Sequence, residues 1–557
     1  MTPSERVLQG IGVSAGGAVG PVALVVPPEP LPDEPRPEDP AAAKASIVAA
    51  LDAAARGLEE RAARLEGDAA EMVLMAAGMA RDPGLVEGVD EQLAKGFGPA
   101  RALHQAFEVF IDQLLALGGY FAERVSDVRD VSARAEAILL GRPLPGVPEL
   151  TEPSIVVARD LAPAETALLD PALVLGIVTA DGGRTSHTAI LAAQRGIPAA
   201  VRVDGALDLA AGTLLALDGE SGRVTVWPTS DTVEALQRRA ALRAHVATLS
   251  GPGRTACGHP VALLANIGDV SDLPVGVEVE GVGLFRTEVV FLSAQHAPSV
   301  DEQVALYEEV FAHFEGRPVT VRTLDAGADK PLAFANLGEE PNPALGRRGY
   351  RLGVRIPALL ADQLEALSIA SRNCGALVKV MAPMVATPAE ARDFVDAAHA
   401  VGLQQAGVMI EVPALALRAH DLFAHADFAS LGTNDLAQYT MAADRMLGDL
   451  SDLLDPFQPA VLDLVAHACE GAASRGTPIG VCGESAGDPL MALVLTGLGV
   501  TSLSMAPSRV AMVRHALREH SLDTCRAMAD AARAAQDATS ARGAVAALAS
   551  PALLELL

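Results

Sequence analysis

An apolar run from Leu173 to Val178 leads into Asp181-Gly-Gly-Arg-Thr-Ser-His-Thr-Ala-Ile-Leu-Ala-Ala-Gln-Arg-Gly196. The run reads as a buried strand. Gly182 and Gly183 permit a sharp turn with close backbone approach. Thr185, Ser186 and Thr188 are cap-type residues, and Ala189 to Arg195 reads as a helix stopped by Gly196 and Pro198. His187 therefore sits at a helix start, where free backbone N–H groups and the helix dipole favour an anion. Arg184 adds a fixed positive charge beside it. A histidine at a helix cap is most often structural, yet an imidazole so placed can accept a phosphoryl group and hold its charge.

Outward from this loop, residues 149–228 alternate strands and helices. Ser154–Ala158, Ala199–Val203, Leu214–Leu217 and Val224–Val226 read as strands, 163–169 as a short helix, and Asp218-Gly219 and Ser221-Gly222 as turns. Gln9 to Val26, small and apolar around five glycines, suggests one or two strands that join the same α/β unit. Pro27 to Pro40 is proline-rich and acidic, a boundary. Residues 41–141 are helical throughout, with helices near 42–65, 68–80, 84–95 and 120–140. Leu103, Phe107, Phe110, Ile111, Leu114 and Leu115 share one face of another. A helical bundle inserted into the α/β domain follows.

Asp231 to Leu249 is a charged helix, and Ser250-Gly-Pro-Gly253 reads as a flexible hinge. Beyond it, strand candidates at 261–267, 282–287, 319–325, 378–384, 408–413, 428–432, 478–482 and 502–505 alternate with helical stretches. That pattern fits a (β/α)8 TIM barrel, in which chemistry gathers at the C-terminal strand ends. The chain is thus α/β and multidomain. Its expected divisions are 1–29 with 146–229 as the α/β histidine domain, 30–145 as the inserted helices, 230–254 as linker and hinge, and 255–557 as the barrel.

Composition narrows the function. A formal charge of −28 over 557 residues argues against nucleic-acid binding and favours basic partner surfaces. The five cysteines are scattered without a CxxC, which suits reduced thiols in the cytoplasm. Leu490 to Val500 is too short to span a membrane, and no signal-peptide apolar region opens the chain, so no membrane insertion is expected.

Unusual polar residues stand at the expected barrel strand ends. Arg286 lies in Gly-Leu-Phe-Arg-Thr-Glu and Arg322 in Val-Arg-Thr-Leu-Asp. Arg348 and Arg351 lie in Leu-Gly-Arg-Arg-Gly-Tyr-Arg, and Arg445 in Ala-Ala-Asp-Arg. Converging guanidinium forks imply a substrate carrying phosphate and carboxylate. Glu411 and Asp435 end neighbouring strands and suit Mg²⁺, which takes one or two protein carboxylates. Cys482, in Gly-Val-Cys-Gly-Glu, is placed to protonate an enolate.

The loop Gly-Gly-Arg-Thr-Ser-His-Thr-Ala-Ile resembles the phosphohistidine loop shared by Enzyme I of the sugar phosphotransferase system, pyruvate phosphate dikinase and phosphoenolpyruvate synthase. Gly-Val-Gly-Leu-Phe-Arg-Thr-Glu, Lys-Val-Met-Ala-Pro-Met, Leu-Gly-Thr-Asn-Asp-Leu-Ala-Gln-Tyr-Thr and Val-Cys-Gly-Glu-Ser-Ala-Gly-Asp resemble the same group in the same order. The resemblance implies a phosphoryl-carrying His187, supported by Thr166 and Arg184. It implies phosphoenolpyruvate contacts at Arg286, Arg322, Asn434 and Arg445, with Arg348 nearby. Mg²⁺ would sit on Glu411 and Asp435, and Cys482 would be the proton donor. No glycine-rich nucleotide loop precedes the histidine unit, and the helices carrying Asp127-Val-Arg-Asp130 look like the docking region for the carrier protein HPr. The chain is therefore most similar to Enzyme I, with a homodimer through the barrel implied. An ATP-linked dikinase and a non-catalytic regulator are the alternatives. Two departures stand out: Ala76 where the family usually has histidine, and a segment from Asp362 to Ala370 without the usual arginines, which bears on the barrel surface.

Overall fold

The computed structural model describes residues 4–14, 16–25, 30–63, 68–117, 125–142, 144–148, 150–161, 169–170, 172–183, 186–272, 277–288, 291, 294, 296–327, 332, 334, 338, 340–445 and 447–557. The chain forms two compact units, residues 1–241 with Leu557, and residues 242–556.

The first unit is organised by an eight-stranded mixed sheet in the order β1-β8-β7-β3-β4-β5-β6-β2. Its strands are β1 (Arg6–Gln9), β2 (Ile11–Ser14), β3 (Gly17–Leu24), β4 (Ser154–Ala158), β5 (Val174–Thr179), β6 (Ala199–Val201), β7 (Leu214–Asp218) and β8 (Arg223–Val226). The amino-terminal segment holds three strands rather than one or two. The break between β1 and β2 falls at Gly10, where a Cβ would come 2.7 Å from the Val201 carbonyl oxygen. β3, β4, β5 and β6 run parallel, and β1, β2, β7 and β8 pair antiparallel at the flanks. The parallel strands are apolar almost throughout, as burial on both faces requires.

Between β3 and β4 the chain leaves the sheet and forms helices Pro40–Ala62, Asp68–Met79, Pro83–Ala94, Pro99–Leu117 and Val125–Leu139. The first starts where the Asp39 carboxylate accepts the N–H groups of Ala41 and Ala42 (2.9 and 3.0 Å) with Pro40 at the opening position. Asp82 and Pro83 repeat the device for the third. Ile47, Leu51, Ala54, Ala55 and Leu58 recur at helical spacing and pack on Leu85, Leu103, Phe107 and Val131 in one core. Leu115 is 50% exposed although Leu103 and Ile111 are buried. Twelve residues beyond Leu103, it has rotated about 120° off the apolar stripe. Residues 163–168 of the expected helix 163–169 lie outside the described residues.

The second unit is a closed barrel of eight parallel strands: β9 (Ala262–Ile267), β10 (Val282–Arg286), β11 (Pro318–Arg322), β12 (Leu377–Ala382), β13 (Ala406–Ile410), β14 (Phe428–Leu431), β15 (Ile479–Val481) and β16 (Ser502–Met505). β16 closes on β9 in the register Leu503 to Leu263. Several strands stop two or three residues before the sequence suggested, because the polar residues and prolines that follow leave the ladder to build loops. The segment Leu490 to Val500 is a helix and a turn: helix Pro489–Gly497 is buried from Pro489 to Thr496. It packs so closely on helix Leu522–Arg533 that a Cβ on Gly497 would lie 2.1 Å from the Cys525 carbonyl oxygen.

One stretch gains contacts that the sequence does not reveal, and one expectation is corrected. Ser250-Gly-Pro-Gly253 is tied to the barrel: Gly251 and Gly253 donate to Glu278 and Glu280 (2.6 and 2.8 Å), and Arg514 donates to the Leu249 carbonyl (2.8 Å). The segment Asp362–Ala370 is largely interior, since Gln363, Leu364, Ala366, Leu367, Ser368 and Ala370 are all buried.

Candidate active site

His187 is the first residue of helix His187–Arg195, which follows the C-terminal end of β5. Thr179 closes the strand by donating to the Asp181 carbonyl (2.7 Å), and Gly182 turns the chain at φ 100°. Ser186 caps the helix by accepting the Ala189 N–H (3.3 Å). Thr188 is fully buried and donates to Asp160 Oδ1 (3.0 Å), which anchors the helix start against the loop after β4. Gly196 ends the helix at φ 66°. The main chain of His187 thus stands at a capped helix start, as the sequence suggested. Arg184 and Thr166 lie outside the described residues.

In the barrel, Arg286, Arg322, Glu411, Cys482 and Arg348 fall at the C-terminal ends of strands or in the loops that follow, and Asn434 and Asp435 lie in the first turn of helix Thr433–Met441 after β14. Arg286 and Arg322 are register partners across β10 and β11. Arg322 is buried, donating to Glu288 Oε1 (2.5 Å) and pairing with Asp325 Oδ2 (3.3 Å). Burial opposes its charge, but Glu288, Asp325 and Glu411 outweigh it and raise its pKa. Its Nε and Glu288 Oε2 are buried with no hydrogen-bond partner. Arg286 is exposed and meets no carboxylate among the described residues. Like charges on adjacent strands, one free and one with an unused buried donor, make a cradle for an anion.

Arg348 occupies a different place from the rim. It is 1% exposed and holds two carboxylates in double forks, Asp325 (3.0 and 3.0 Å) and Asp435 (3.0 and 3.1 Å). Its guanidinium orients Asp435. Arg445 is exposed and also approaches Asp435, at 3.9 Å from Oδ2. Asn434 Oδ1 accepts the Glu484 N–H (3.3 Å), joining the helix after β14 to the turn after β15.

Glu411 accepts the Met384 N–H (2.8 Å). Met384 carries φ 58°, a left-handed conformation costly for a side chain of its size. It is held there by Gly349, itself at φ 58°, where a Cβ would crowd Met384 and Pro383 at 3.0–3.1 Å. Burial, with Asp325 and Asp435 close by, pushes the Glu411 carboxyl up to about 8. Four carboxylates, Glu288, Asp325, Glu411 and Asp435, meet two buried guanidinium groups, so the cluster is short of positive charge.

Cys482 directly follows β15 and is 5% exposed among Leu284, Met381, Met409 and Phe428. Burial pushes its thiol up to about 11, against the lowering pull of a Ser430 hydrogen bond and the Arg322 charge. Below that value it keeps its proton, which suits an acid and not a nucleophile. Two supports escaped the sequence reading. Asp325 bridges both buried arginines, and its only sequence signal is its place three residues after Arg322. Gln363 accepts the Leu324 N–H (2.9 Å) and donates to Thr287 and Tyr307 (3.1 Å each), fixing the ends of β10 and β11. Nothing in its helical segment marks it.

A (β/α)8 barrel whose C-terminal mouth sets free and buried guanidinium groups above a carboxylate cluster and a protonated thiol defines an enzyme for a small, multiply anionic substrate. Family models for PEP-utilising enzymes match three stretches: the N-terminal model residues 9–124, the mobile domain 150–222, and the PEP-binding domain 244–522. A phosphoenolpyruvate-protein phosphotransferase of Streptomyces coelicolor is 48% identical over 564 residues, covering 98% of this chain and 100% of its own. One of Haloferax volcanii is 38% identical, covering 95% and 96%. One of Priestia megaterium is 36% identical, covering 92% and 94%. The chain belongs to the phosphoenolpyruvate-protein phosphotransferases, a branch of the PEP-utilising enzymes. Among the alternatives left by the sequence, that favours the protein phosphotransferase over an ATP-linked dikinase. Among the described residues, no helix is long and apolar enough to cross a membrane.

Proposed function

We propose that the chain takes the phosphoryl group of phosphoenolpyruvate onto His187 and passes it to the carrier HPr, releasing pyruvate. The observation that carries the reading is the arginine pair across β10 and β11, one guanidinium meeting no carboxylate among the described residues and the other with an unused buried N–H, together with the Cys482 thiol that burial keeps protonated. Arg286 and Arg322 bind the phosphate, and Asn434 and Arg445 hold the rest of the substrate. Arg348 fixes Asp435. His187 Nε2 attacks phosphorus in line as the bond from phosphorus to the enol oxygen breaks, and the guanidinium groups stabilise charge on the equatorial oxygens. Cys482 gives its proton to the enolate carbon. Thr166 and Arg184 support the phosphohistidine.

The carboxylate excess fits a divalent cation, which we take to be Mg²⁺ on Glu411 and Asp435. Among the described residues no three His, Cys, Asp or Glu side chains converge on one point, and two suffice where substrate and water complete the shell. When bound, the ion offsets phosphate charge. We assign residues 30–145 to HPr docking, 1–29 with 146–229 to the phosphohistidine domain, 230–254 to the linker, and 255–557 to substrate binding. The protein works in the cytoplasm as a homodimer through the barrel. Because 250–253 is bonded to the barrel, swinging of the histidine domain is assigned to the chain before Leu249.

Incubation with radiolabelled phosphoenolpyruvate and Mg²⁺ tests the reading. Acid-labile label on the chain, passed to added HPr and absent from His187→Ala, is the expected result. Label retained in His187→Ala would overturn it.

A further inference from the structure

The barrel has a second mouth, where its strands begin. Pro318, Pro478 and Thr501 rim a cavity of about 210 Å³ there. Barrel interiors are ordinarily filled by layers of bulky branched side chains. Here Ala262, Gly283, Thr320, Gly480 and Ser502 stand in the layer and leave it open. A Cβ on Gly283 or Gly480 would come within 2.5 Å of Ser504 or 2.3 Å of Ser502, so the glycines make room for hydroxyls.

The cavity deepens from solvent toward Cys482. Pro478 and Thr501 are exposed and Lys379 and Ser502 half-buried, while Ser430 and Ser504 on the floor are 6% and 2% exposed. Ser504 donates to Asn266 Oδ1 (2.6 Å), and Asn266 donates to the Cys482 carbonyl (3.0 Å). Ser430 precedes Leu431, whose carbonyl accepts both the Cys482 N–H (3.1 Å) and its thiol (3.7 Å). The Ser430 side chain lines the cavity and lies near enough to the thiol to lower its pKa. At the solvent side, Lys379 Nζ lies 5.4 Å from the centre of the Phe428 ring and pairs with no carboxylate among the described residues.

A water needs about 10–15 Å³ of such space and polar partners, so this cavity holds on the order of ten waters. In the proposed reaction the substrate covers Cys482 from the C-terminal side, and each pyruvate released leaves a buried thiolate. We propose that the lower cavity is a proton conduit that recharges Cys482 from the barrel's N-terminal mouth, with Ser430 handing on the proton and Lys379 supplying it at the solvent end. The proposal rests on Cys482 as the donor. The Cys482 S–H bond breaks as C–H forms on the enolate. The thiolate then takes the Ser430 hydroxyl proton, Ser430 takes one from cavity water, water from the Lys379 ammonium, and Lys379 from solvent. One solvent proton is consumed per pyruvate. Burial lowers the Lys379 pKa, which makes its ammonium a readier source. Ser430 and Lys379 act through Cys482 as supporting groups.

The test uses the full chain with phosphoenolpyruvate, radiocarbon-labelled pyruvate and Mg²⁺ in heavy water. Radiocarbon reaching phosphoenolpyruvate counts reversals of the chemistry. Deuterium entering the pyruvate methyl group counts recharging of Cys482 from solvent. Deuterium entry per carbon exchange is expected to fall at least about tenfold in Ser430→Ala and about threefold in Lys379→Met, and to recover in Ser430→Thr, which keeps the hydroxyl. A general loss of structure would lower both counts and leave their ratio in place. A ratio within about twofold of the unmodified chain in both variants overturns the conduit and leaves Cys482 as donor. Deuterium entry undiminished in Cys482→Ala overturns the donor reading, and no carbon exchange in the unmodified chain overturns the proposed function.

Discussion

The two ends of one barrel are built on opposite terms. At the C-terminal end Arg322 and Arg348 are buried and crossed with Glu288, Asp325 and Asp435 within 2.5–3.3 Å. At the N-terminal end, small residues and hydroxyls line a cavity with a single half-buried lysine. Buried ion pairs recover their desolvation cost only in good geometry, and they fail badly when one partner is removed. Hydroxyls beside water carry no such risk. The upper end therefore fixes charges in place, whereas the lower end keeps space.

Arg348→Ala breaks this contrast hardest. It strips Asp325 and Asp435 of their double forks in the interior, and the expected loss is about 3–5 kcal/mol of unfolding free energy. Urea titration of the barrel transition measures it. A loss under about 1 kcal/mol would show the two carboxylates to be already protonated or hydrated, and the upper end to be less charge-built than its distances imply.

Gln363→Leu comes next. It leaves the Leu324 N–H without its acceptor and frees Thr287 and Tyr307, costing about 1–3 kcal/mol. Because Thr287 and Leu324 follow the two substrate-facing arginines, the Michaelis constant for phosphoenolpyruvate should rise along with the instability. A stability loss with unchanged substrate affinity would confine Gln363 to packing.

Gln363 also marks what the sequence could not reveal. The strands, the barrel and the polar strand ends were legible because an apolar run ending in Arg, Glu or Asn is a local signal. So was the helix start at His187, since glycine turn, cap and stop residues lie within sixteen positions of one another. A glutamine on a helix looks the same whether it faces water or two loop ends. Its burial depends on chain brought from 39 to 76 residues away in sequence. The hydrogen bonds of 250–253 were hidden for the same reason, as the acceptors Glu278 and Glu280 are invisible to a glycine count. The lower cavity left no trace either, because Gly283, Gly480 and Ser502 merely weaken a strand pattern.

The thiols separate the ends by chemistry. Cys257 is exposed, and hydrogen bonds from the Leu522 N–H and Thr255 lower its pKa. Cys482 is raised to about 11 by burial. A raised thiol pKa means S–H through the neutral range, with thiolate appearing only as pH climbs toward that value. At pH 8 iodoacetamide should modify Cys257 on the order of a hundredfold faster than Cys482, and Cys482 should gain about tenfold for each pH unit up to its pKa. Peptide mass spectrometry of the alkylated protein reads both rates. Equal rates at pH 8 would place Cys482 in open water and remove the need for any conduit.

Lys379→Met is expected to move stability least. Methionine matches the length of the stem and keeps contact with Phe428 through sulfur, while the lost cation–ring attraction is worth about 0.5–1 kcal/mol. Removing a half-buried ammonium with no carboxylate partner among the described residues also removes its desolvation cost, which works in the opposite direction. The two nearly cancel, so the urea midpoint should shift by less than about 1 kcal/mol equivalent, of either sign. That small shift is what allows the exchange ratio in the same variant to report on proton supply. A loss approaching that of Arg348→Ala would mean that Lys379 anchors the lower mouth as Arg348 anchors the upper, and that both ends are held by charge.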